Sequence, residues 1–348
     1  MQSVFATFDH EQLTVATGTR SGLTIAVALH STALGPALGG CRLWSYNSRD
    51  EAVADALRLS EGMTSKNALA GLSSGGGKAV IALAPGQTLS PEERHAAFLD
   101  LGDIVEKLGG LYKTAEDVGT TAADMASVSE RTKHVVGLPA GQGGLGDPGA
   151  YTARGVHAAL QETLRRLTGE TSASGLRITI VGLGHVGSAL ATQLASEGAH
   201  LTLSDINTAK KSLADELGAE WVSPETAHTV EADVFMPAGV GGMLTPKVIS
   251  ELNTRAVVGP ANNQLAEPSG AEALAAREIL YAPDYLVNAG GVIYLGAEDA
   301  SIDEKIERID AISQTLSEVF DEAQASGITT IEAADRLVQQ RLQAVVTA

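Results

Sequence analysis

Two lysines twelve residues apart are well suited to acid–base chemistry. Lys66 and Lys78 lie in an apolar, glycine-rich stretch, residues 62–79. A lysine held among apolar residues and near a second lysine has a lowered pKa, because burial and like-charge repulsion both disfavour the ammonium form. Such a lysine can act as a base near neutral pH. The alternative is a surface loop with two solvated lysines, and the spacing alone does not decide between them.

The glycines before Lys78 do not form a nucleoside-triphosphate loop. That motif needs a glycine five residues before its last glycine, and a serine or threonine directly after its lysine. Leu72 and Ala79 occupy these two positions. Phosphate binding of the P-loop type is therefore excluded for this segment.

A second glycine pattern, about a hundred residues later, is typical of dinucleotide binding. Gly182, Gly184 and Gly187 form a G-x-G-x-x-G turn between an apolar β-type run and a helical pattern. In such a unit the glycines permit a tight turn, close approach of a pyrophosphate, and close packing of the helix, whose N-terminus attracts phosphate. A plain strand–turn–helix is the alternative, because a lone motif of this kind is weak evidence.

An acidic residue at the end of the next strand pattern bears on the choice of cofactor. The carboxylate of Asp205 would accept hydrogen bonds from the ribose hydroxyls and repel a 2′-phosphate, which predicts NAD rather than NADP. His185 stands at a variable position of the turn and is given no chemical role. The predicted cofactor-binding residues of this unit are Gly182, Gly184, His185, Val186, Gly187, Asp205 and Ile206.

Composition excludes several other classes of function. The net charge of -18 over 348 residues disfavours nucleic acid and anionic membranes as partners. One cysteine, Cys41, allows neither an internal disulfide framework nor a cysteine-based zinc cluster, and no metal site is predicted. Neither a secretory signal nor a membrane-spanning run is visible, so the expected location is the cytoplasm.

Alternating strand and helix patterns must position these residues. They predict an α/β architecture with a largely parallel sheet. A glycine- and proline-rich stretch, residues 137–149, is the candidate for a domain boundary or a substrate-side loop. Strands are predicted at 23–29, 79–83, 177–181, 200–204, near 234 and at 255–258; helices are predicted at 50–60 with Ser48 as N-cap, after Ser90, at 151–167, 185–197 and 208–217, and from 302 onwards.

Further segments join these motifs into one pattern. Glu116 and Asp117 stand side by side before a glycine and two threonines, in residues 113–120. Together with residues 34–42, 260–265 and 282–291, and with the lysine stretch, they occur in a specific order and spacing. On these segments, from about residue 30 to about 300, the chain resembles the glutamate/leucine/phenylalanine/valine dehydrogenase family, and it looks most like the branched-chain members.

The resemblance implies a two-domain α/β fold with a cleft between the domains. Residues 1–147 would bind substrate and make subunit contacts, and residues 148–325 would form a Rossmann-type NAD domain. Residues 326–348 would form a C-terminal helix that packs back on the first domain. Relatives range from dimers to octamers, so a homo-oligomer is expected.

The resemblance also implies two catalytic residues and one residue that binds the substrate carboxylate. Lys66 would bind the α-carboxylate of an amino acid, Lys78 would activate water and the carbonyl oxygen, and Asp117 would exchange protons with the amino group. A hydride leaves Cα for the nicotinamide and gives an imine. Water then adds with Lys78 as base, and the carbinolamine collapses to a 2-oxo acid and ammonia.

The remaining matched positions surround the substrate. In glutamate-specific relatives a lysine precedes the Gly-Gly pair, whereas this chain has Leu38 there, and an apolar pocket cannot compensate a desolvated carboxylate. A branched-chain substrate (leucine, valine or isoleucine) is therefore expected, and phenylalanine stays open. The implied residues are Gly39 and Gly40 as a backbone strip, Met63 beside the substrate, Leu38, Ala115, Val292 and Leu295 around the side chain, Asn263 near the nicotinamide ribose, and Asn288 on the substrate side.

Some positions depart from the family pattern. Cys41, Met236, Pro260 and Arg154 replace residues that are usual there. These changes leave both lysines and Asp117 intact. A non-catalytic, NAD-responsive binding protein with the same fold is therefore the alternative from a different functional class.

Overall fold

The computed structural model describes residues 9–139, 141, 147–297 and 300–346. The chain divides into two compact units. The N-terminal unit comprises Met1–Asp147, Leu295–Glu298 and Gln340–Ala348, and the C-terminal unit comprises Pro148–Tyr294 and Asp299–Gln339. This division falls inside the glycine- and proline-rich stretch at 137–149, of which residues 140 and 142–146 lie outside the described part of the chain.

A five-stranded mixed sheet forms the centre of the N-terminal unit. Its strand order is β1-β2-β4-β3-β5, in which β2 is antiparallel to both β1 and β4, whereas β3 is parallel to β4 and β5. The prediction of a largely parallel sheet is wrong here, because β1 and β2 form a hairpin, which needs no crossover helix. The elements are β1 Gln12–Thr17, β2 Thr24–Ser31, β3 Ala37–Ser45, α1 Arg49–Leu69, β4 Gly75–Leu83, α2 Pro91–Lys107, β5 Tyr112–Glu116 and α3 Ala122–Ser129.

Both lysines lie in regular elements, so the alternative of a surface loop is wrong. Lys66 is in the last turn of α1, and Lys78 is in β4, which begins at Gly75. The glycines before Lys78 mark close packing, because a Cβ at Gly77 would lie 2.7 Å from the Tyr112 ring. Glycine inside a strand often has this meaning.

The predicted helix starts are confirmed. The side chain of Ser48 accepts a hydrogen bond from the Glu51 backbone N–H and begins α1. At α2, Ser90 and Glu93 form a reciprocal capping box with Pro91 in the first turn. Each cap satisfies backbone donors that have no partner within the helix.

A six-stranded parallel sheet forms the centre of the C-terminal unit. Its strand order is β11-β10-β9-β6-β7-β8. Strands β6 to β8 are added towards one edge of the sheet and β9 to β11 towards the other, which is the order of a doubly wound dinucleotide-binding fold. Every strand pair in it is parallel. The strands are β6 Arg177–Val181, β7 His200–Ser204, β8 Glu220–Trp221, β9 Ala232–Pro237, β10 Thr254–Val257 and β11 Leu280–Tyr281.

The chain between and after these strands is mainly helical. The prediction of helices from residue 302 onwards is confirmed. They are α4 Gly149–Thr168, α5 His185–Ser196, α6 Lys211–Leu217, α7 Pro246–Glu251, α8 Gly270–Ala276, α9 Asp284–Val287, α10 Gly290–Gly296, α11 Ile302–Asp310, α12 Ile312–Ser326 and α13 Thr330–Val346. Near the end of α13, Arg341 donates hydrogen bonds to the carbonyl oxygens of Ala68 and Leu69 in the same unit. Across the described residues, no helix is long and apolar enough to cross a membrane.

Candidate active site

A buried lysine and a half-buried carboxylate face each other in the N-terminal unit. Lys78 is only 4% exposed, and its Nζ lies 3.0 Å from Oδ1 of Asp117. Asp117 follows β5 directly, and β3 separates that strand from β4. A Cβ at Gly40 of β3 would lie 2.8 Å from the Cβ of Asp117. The missing side chain at Gly40 therefore leaves the room that Asp117 occupies.

Further contacts hold the carboxylate of Asp117. Its Oδ2 accepts a hydrogen bond from Nε of Arg42 at 3.1 Å. Its backbone N–H donates to Oγ1 of Thr120 at 2.7 Å, and Thr120 donates to the carbonyl oxygen of Cys41. One carboxylate oxygen thus faces a guanidinium and the other an ammonium group, so the orientation of Asp117 is well determined.

Burial and charge set the protonation of this pair. Burial lowers the pKa of Lys78, and the charge of Arg42 lowers it further, although the Asp117 carboxylate acts in the opposite direction. Burial raises the pKa of Asp117, but the charges of Lys78 and Arg42 outweigh it and leave that pKa below its usual value. Arg42 supplies the like-charge repulsion that the sequence suggested Lys66 would supply. The pair combines an ionised carboxylate with a lysine that loses its proton unusually easily.

The second lysine lies at a junction of three elements. Lys66 is half-buried at the end of α1. The next residue, Asn67, donates from Nδ2 to the carbonyl oxygens of Leu38 in β3 and Gly75 in β4. This buried amide therefore fixes the end of α1, and with it Lys66, against the sheet.

Close packing surrounds the first glycine of the Gly-Gly pair. A Cβ at Gly39 would lie 1.8 Å from the carbonyl oxygen of Gly77 and 3.1 Å from Cγ of Met63. No residue with a side chain fits at that position without moving β4. Glycine is required here by strand packing, whatever else lies against the backbone.

Three apolar residues predicted to surround the substrate side chain are buried in the N-terminal unit. Leu38 is 2% exposed, and Ala115 and Leu295 are also buried. A Cβ at Gly296 would lie 2.7 Å from Cδ2 of Leu38, so Gly296 gives Leu38 its space. Val292 is half-buried and belongs to the C-terminal unit.

The glycine turn of the C-terminal unit has the geometry that a dinucleotide requires. Gly182 has φ +107°, and a Cβ there would lie 2.4 Å from the backbone nitrogen of Gly239. A Cβ at Gly187 would lie 2.0 Å from the carbonyl oxygen of Gly182, whereas nothing lies within 4 Å of one at Gly184. Gly184 begins α5 without a side-chain cap. The open approach and the uncapped helix N-terminus fit a pyrophosphate.

Backbone donors hold the acidic residue that follows β7. Oδ2 of Asp205 accepts from the N–H of Leu183 at 2.6 Å, and Oδ1 accepts from the N–H of Asn207 at 2.7 Å. Ile206 is 89% exposed. His185 and Val186 form the first turn of α5, where His185 is exposed. The carboxylate is thereby fixed beside the glycine turn, where a ribose would bind.

Amides organise the loop after β10. Asn288 donates from Nδ2 to the carbonyl oxygen of Pro260 and to Oδ1 of Asn262. Gln264 donates from Nε2 to the carbonyl oxygens of Gly259 and Ala261. Asn263 has φ +51°, a left-handed conformation that asparagine tolerates better than most residues. These hydrogen bonds hold the loop backbone around Asn263.

Two sequence models of known families match the chain. Residues 7–134 match the model described as "Glu/Leu/Phe/Val dehydrogenase, dimerisation domain". Residues 202–347 match the model described as "Glutamate/Leucine/Phenylalanine/Valine dehydrogenase".

Individual relatives extend over nearly the whole chain. The leucine dehydrogenase of Thermoactinomyces intermedius is 40% identical over 97% of this chain and 92% of its own length. The phenylalanine dehydrogenase of Lysinibacillus sphaericus is 41% identical over 96% of this chain and 89% of its own length. The crystal structure of L-tryptophan dehydrogenase from Nostoc punctiforme has a TM-score of 0.85 at 31% identity and covers 98% of this chain and 97% of that one.

This chain belongs to the Glu/Leu/Phe/Val dehydrogenase family. It is an amino acid dehydrogenase, an oxidoreductase that uses a nicotinamide cofactor. Its fold is the family's two-domain α/β fold, with a substrate and dimerisation domain and a Rossmann-like domain. The resemblance read from the sequence motifs is thus confirmed.

Three polar residues of this dehydrogenase were not singled out from the sequence. They are Arg42, Asn67 and Gln264, each of which fixes a backbone or carboxylate near a predicted site residue. Asn67 carried a usable signal, because it is an amide next to Lys66 in a segment rich in apolar residues. Arg42 carried no such signal, since its partner Asp117 is 75 residues away.

Proposed function

We propose that this dehydrogenase catalyses the NAD-dependent, reversible oxidative deamination of branched-chain L-amino acids to 2-oxo acids and ammonia. The observation that carries this proposal is the Lys78–Asp117 pair in the same unit as three buried apolar residues, Leu38, Ala115 and Leu295. The pair supplies acid–base groups for a reacting amino group. The three apolar residues favour a hydrocarbon side chain over a carboxylate.

Each residue has a role that follows from its charge and position. Bound NAD supplies an acceptor for the hydride that leaves the substrate Cα. Lys66, a half-buried cation at the end of α1, binds the substrate α-carboxylate. Asp117, ionised between Arg42 and Lys78, takes a proton from the substrate ammonium group.

The hydrolytic half of the reaction depends on Lys78. Its Nζ in the neutral form accepts a proton from the water that attacks the imine carbon, and a C–O bond forms. The resulting ammonium group returns that proton to the departing nitrogen, and as the C–N bond breaks the neutral Nζ accepts the hydroxyl proton while the carbonyl forms. Burial lowers the pKa of Lys78, which makes these proton transfers easier than for an exposed lysine.

The cofactor preference is proposed from Asp205. Its carboxylate, fixed by backbone donors, would bind the ribose hydroxyls of NAD and repel the 2′-phosphate of NADP. Gly182, Gly184 and Gly187 would hold the pyrophosphate together with the first turn of α5. Asn263 would lie near the nicotinamide ribose, and Asn288 would lie on the substrate side.

A panel of amino acids tests the proposed function. NADH absorbance is followed with L-leucine, L-isoleucine, L-valine, L-phenylalanine, L-tryptophan and L-glutamate, each with NAD and with NADP. The highest kcat/KM is expected with the branched-chain substrates and NAD. Phenylalanine is the second candidate, because the relative from Lysinibacillus sphaericus is a phenylalanine dehydrogenase. Absence of turnover with every member would favour a non-catalytic binding protein.

The Leu38→Lys variant should exchange the side-chain preference. A lysine here would bring an ammonium group among buried apolar side chains, so kcat/KM for leucine should fall by about 10²-fold or more, because the apolar contact is lost. Glutamate should become a better substrate relative to leucine. The matched control is Leu38→Met, which nearly conserves volume and should keep the leucine preference. Circular dichroism distinguishes lost folding from lost specificity, and an unchanged leucine preference in a folded Leu38→Lys variant would contradict the assignment.

The Asp205→Ser variant should lose NAD preference. Removing a charged acceptor for the ribose hydroxyls costs about 1.5–3 kcal/mol, or roughly 10- to 150-fold in affinity for NAD. Affinity for NADP should rise, because the repelling charge is gone. Asp215→Ser removes an exposed aspartate from α6 of the same unit and should change neither affinity. Isothermal titration calorimetry measures the affinity of both variants for NAD and for NADP. Equal NAD affinity in the Asp205 and Asp215 variants would argue against this role of Asp205.

Subunit contacts are proposed for the N-terminal unit. The family model matched by residues 7–134 is described as a dimerisation domain. We therefore expect a homo-oligomer whose contacts involve these residues.

A further inference from the structure

One arginine joins the Lys78–Asp117 pair to a second carboxylate. Arg42 donates from Nε to Oδ2 of Asp117, and from Nη1 to Oδ2 of Asp55 at 3.0 Å. Asp55 in turn accepts from the hydroxyl of Tyr46 and from Arg58, both at 2.7 Å. Arg42 and Asp55 are both mostly buried. The guanidinium is therefore held from both sides in a single orientation.

This chain of contacts does not conduct protons. An arginine guanidinium stays protonated throughout the accessible pH range. The carboxylates of Asp117 and Asp55 raise the pKa of Arg42 further, against the effect of its burial. Arg42 is consequently a permanent positive charge beside Asp117 and close enough to Lys78 to repel its ammonium form.

Resting on the proposed function, we infer that Arg42 is a positioning residue that sets the proton affinity of the catalytic pair. It turns one oxygen of Asp117 towards itself and leaves the other for Lys78. Its charge keeps Asp117 ionised and favours the neutral form of Lys78, the form that accepts a proton from water. Asp55 holds Arg42 in place from the opposite side.

Few other titratable groups act on Lys78. Asp117 faces it from the end of β5, and Arg42 and Cys41 face it from β3. Burial raises the pKa of the Cys41 thiol, which therefore stays neutral. From α1, Asp55 acts through Arg42. Arg42 supplies a fixed positive charge that shifts the titration of Lys78 towards lower pH.

The test compares the pH profiles of Arg42→Gln, Arg42→Lys and the unaltered enzyme. Arg42→Gln removes the charge, so the acid limb of kcat with L-leucine and NAD should move about 0.5–1 pH unit to higher pH. Arg42→Lys keeps the charge but loses the fork that spans two carboxylates. Its kcat should fall, while the limb should move by less than about 0.3 pH unit.

A second arginine of the same unit provides the matched control. Arg94 of α2 forms two hydrogen bonds of 2.6 Å with Asp124 of α3. Arg94→Gln should lower the melting temperature as much as Arg42→Gln does and leave the acid limb in place. If Arg42→Gln also leaves the limb in place, or if Arg42→Lys shifts it equally, Arg42 is only a structural residue and the inference is overturned.

A measurement without turnover separates this inference from the proposed function. Lysine labelled with ¹³C at Cε allows NMR titration of Lys78, whose resonance is assigned by its absence in Lys78→Met. Its midpoint should move to higher pH in Arg42→Gln whether or not any amino acid reacts. Absence of turnover with an upward shift would refute the proposed function alone, and turnover without a shift would refute the inference alone.

Discussion

The Lys78→Met variant should lose about 10²- to 10⁴-fold in kcat for oxidative deamination, the range that a positioned general acid–base group contributes. Methionine has nearly the volume of lysine but neither accepts nor donates the proton that water addition requires. NAD should still bind with unchanged affinity, because the glycine turn and Asp205 belong to the other unit. The measurement is steady-state kinetics with L-leucine, paired with calorimetric titration of NAD.

Stability distinguishes this loss from misfolding. Burial makes the ammonium form of Lys78 unfavourable in the folded protein, and Arg42 continues to pair with Asp117 when Lys78 is gone. The melting temperature of Lys78→Met should therefore not fall. Lys305→Met is the matched control: Lys305 is equally buried and lies 5.3 Å from the centre of the Tyr294 ring in the C-terminal unit. That variant should lose stability and keep its kcat, and full turnover by Lys78→Met would refute the role of Lys78.

The Asp117→Asn variant should lose turnover by a similar factor, about 10²- to 10⁴-fold. An amide cannot accept a proton from the substrate ammonium group. It also leaves Arg42 and Lys78 without the carboxylate that both of them contact. Both buried groups then lose the carboxylate that offsets the cost of their burial, so the melting temperature should also fall.

The pH profile of Asp117→Asn gives the sign of the electrostatic effect. In the unaltered enzyme kcat should rise with pH as Lys78 deprotonates, and this rise should lie below the usual lysine range because burial lowers the pKa of Lys78. Asp117 opposes this lowering, so its removal should move the residual acid limb to lower pH. This is opposite in sign to the shift expected for Arg42→Gln.

Asp124→Asn controls for the loss of a buried carboxylate. Asp124 pairs with Arg94 and completes the capping box of α3, so its replacement should also cost stability. Its kcat and acid limb should stay close to those of the unaltered enzyme. Equal losses of kcat in Asp117→Asn and Asp124→Asn would reduce Asp117 to a structural residue.

Local patterns were sufficient for much of the C-terminal unit. The strands at Arg177–Val181 and His200–Ser204 begin and end where the apolar runs do, and α5 begins at His185 directly after the turn. The three glycines of the turn and Asp205 could be read together for the same reason. Glycine spacing, strand hydrophobicity and helix starts are all determined by residues close together in the chain.

The N-terminal unit was less accessible to local patterns. The glycines at 75–77 have no side chains to show alternation, so the sequence predicts β4 four residues too short and leaves Lys78 outside it. Helix α1 runs to Leu69 although a glycine interrupts its pattern at position 62. Contacts across the sheet stabilise both segments, and those contacts override weak local preference.

The sequence by itself determined the family, the α/β class and the residue types available for acid–base chemistry. Only the tertiary structure decided which groups act on one another. The strand order β4-β3-β5 places both Lys78 and Arg42 within hydrogen-bonding distance of Asp117, at 3.0 Å and 3.1 Å, although the three residues are far apart along the chain. A pKa depends on every charge and every apolar atom within a few ångströms, whatever the sequence separation. The sequence was therefore sufficient to identify Lys78 as a candidate base. Only the fold shows that Asp117 and Arg42 lie beside it and act on its proton affinity.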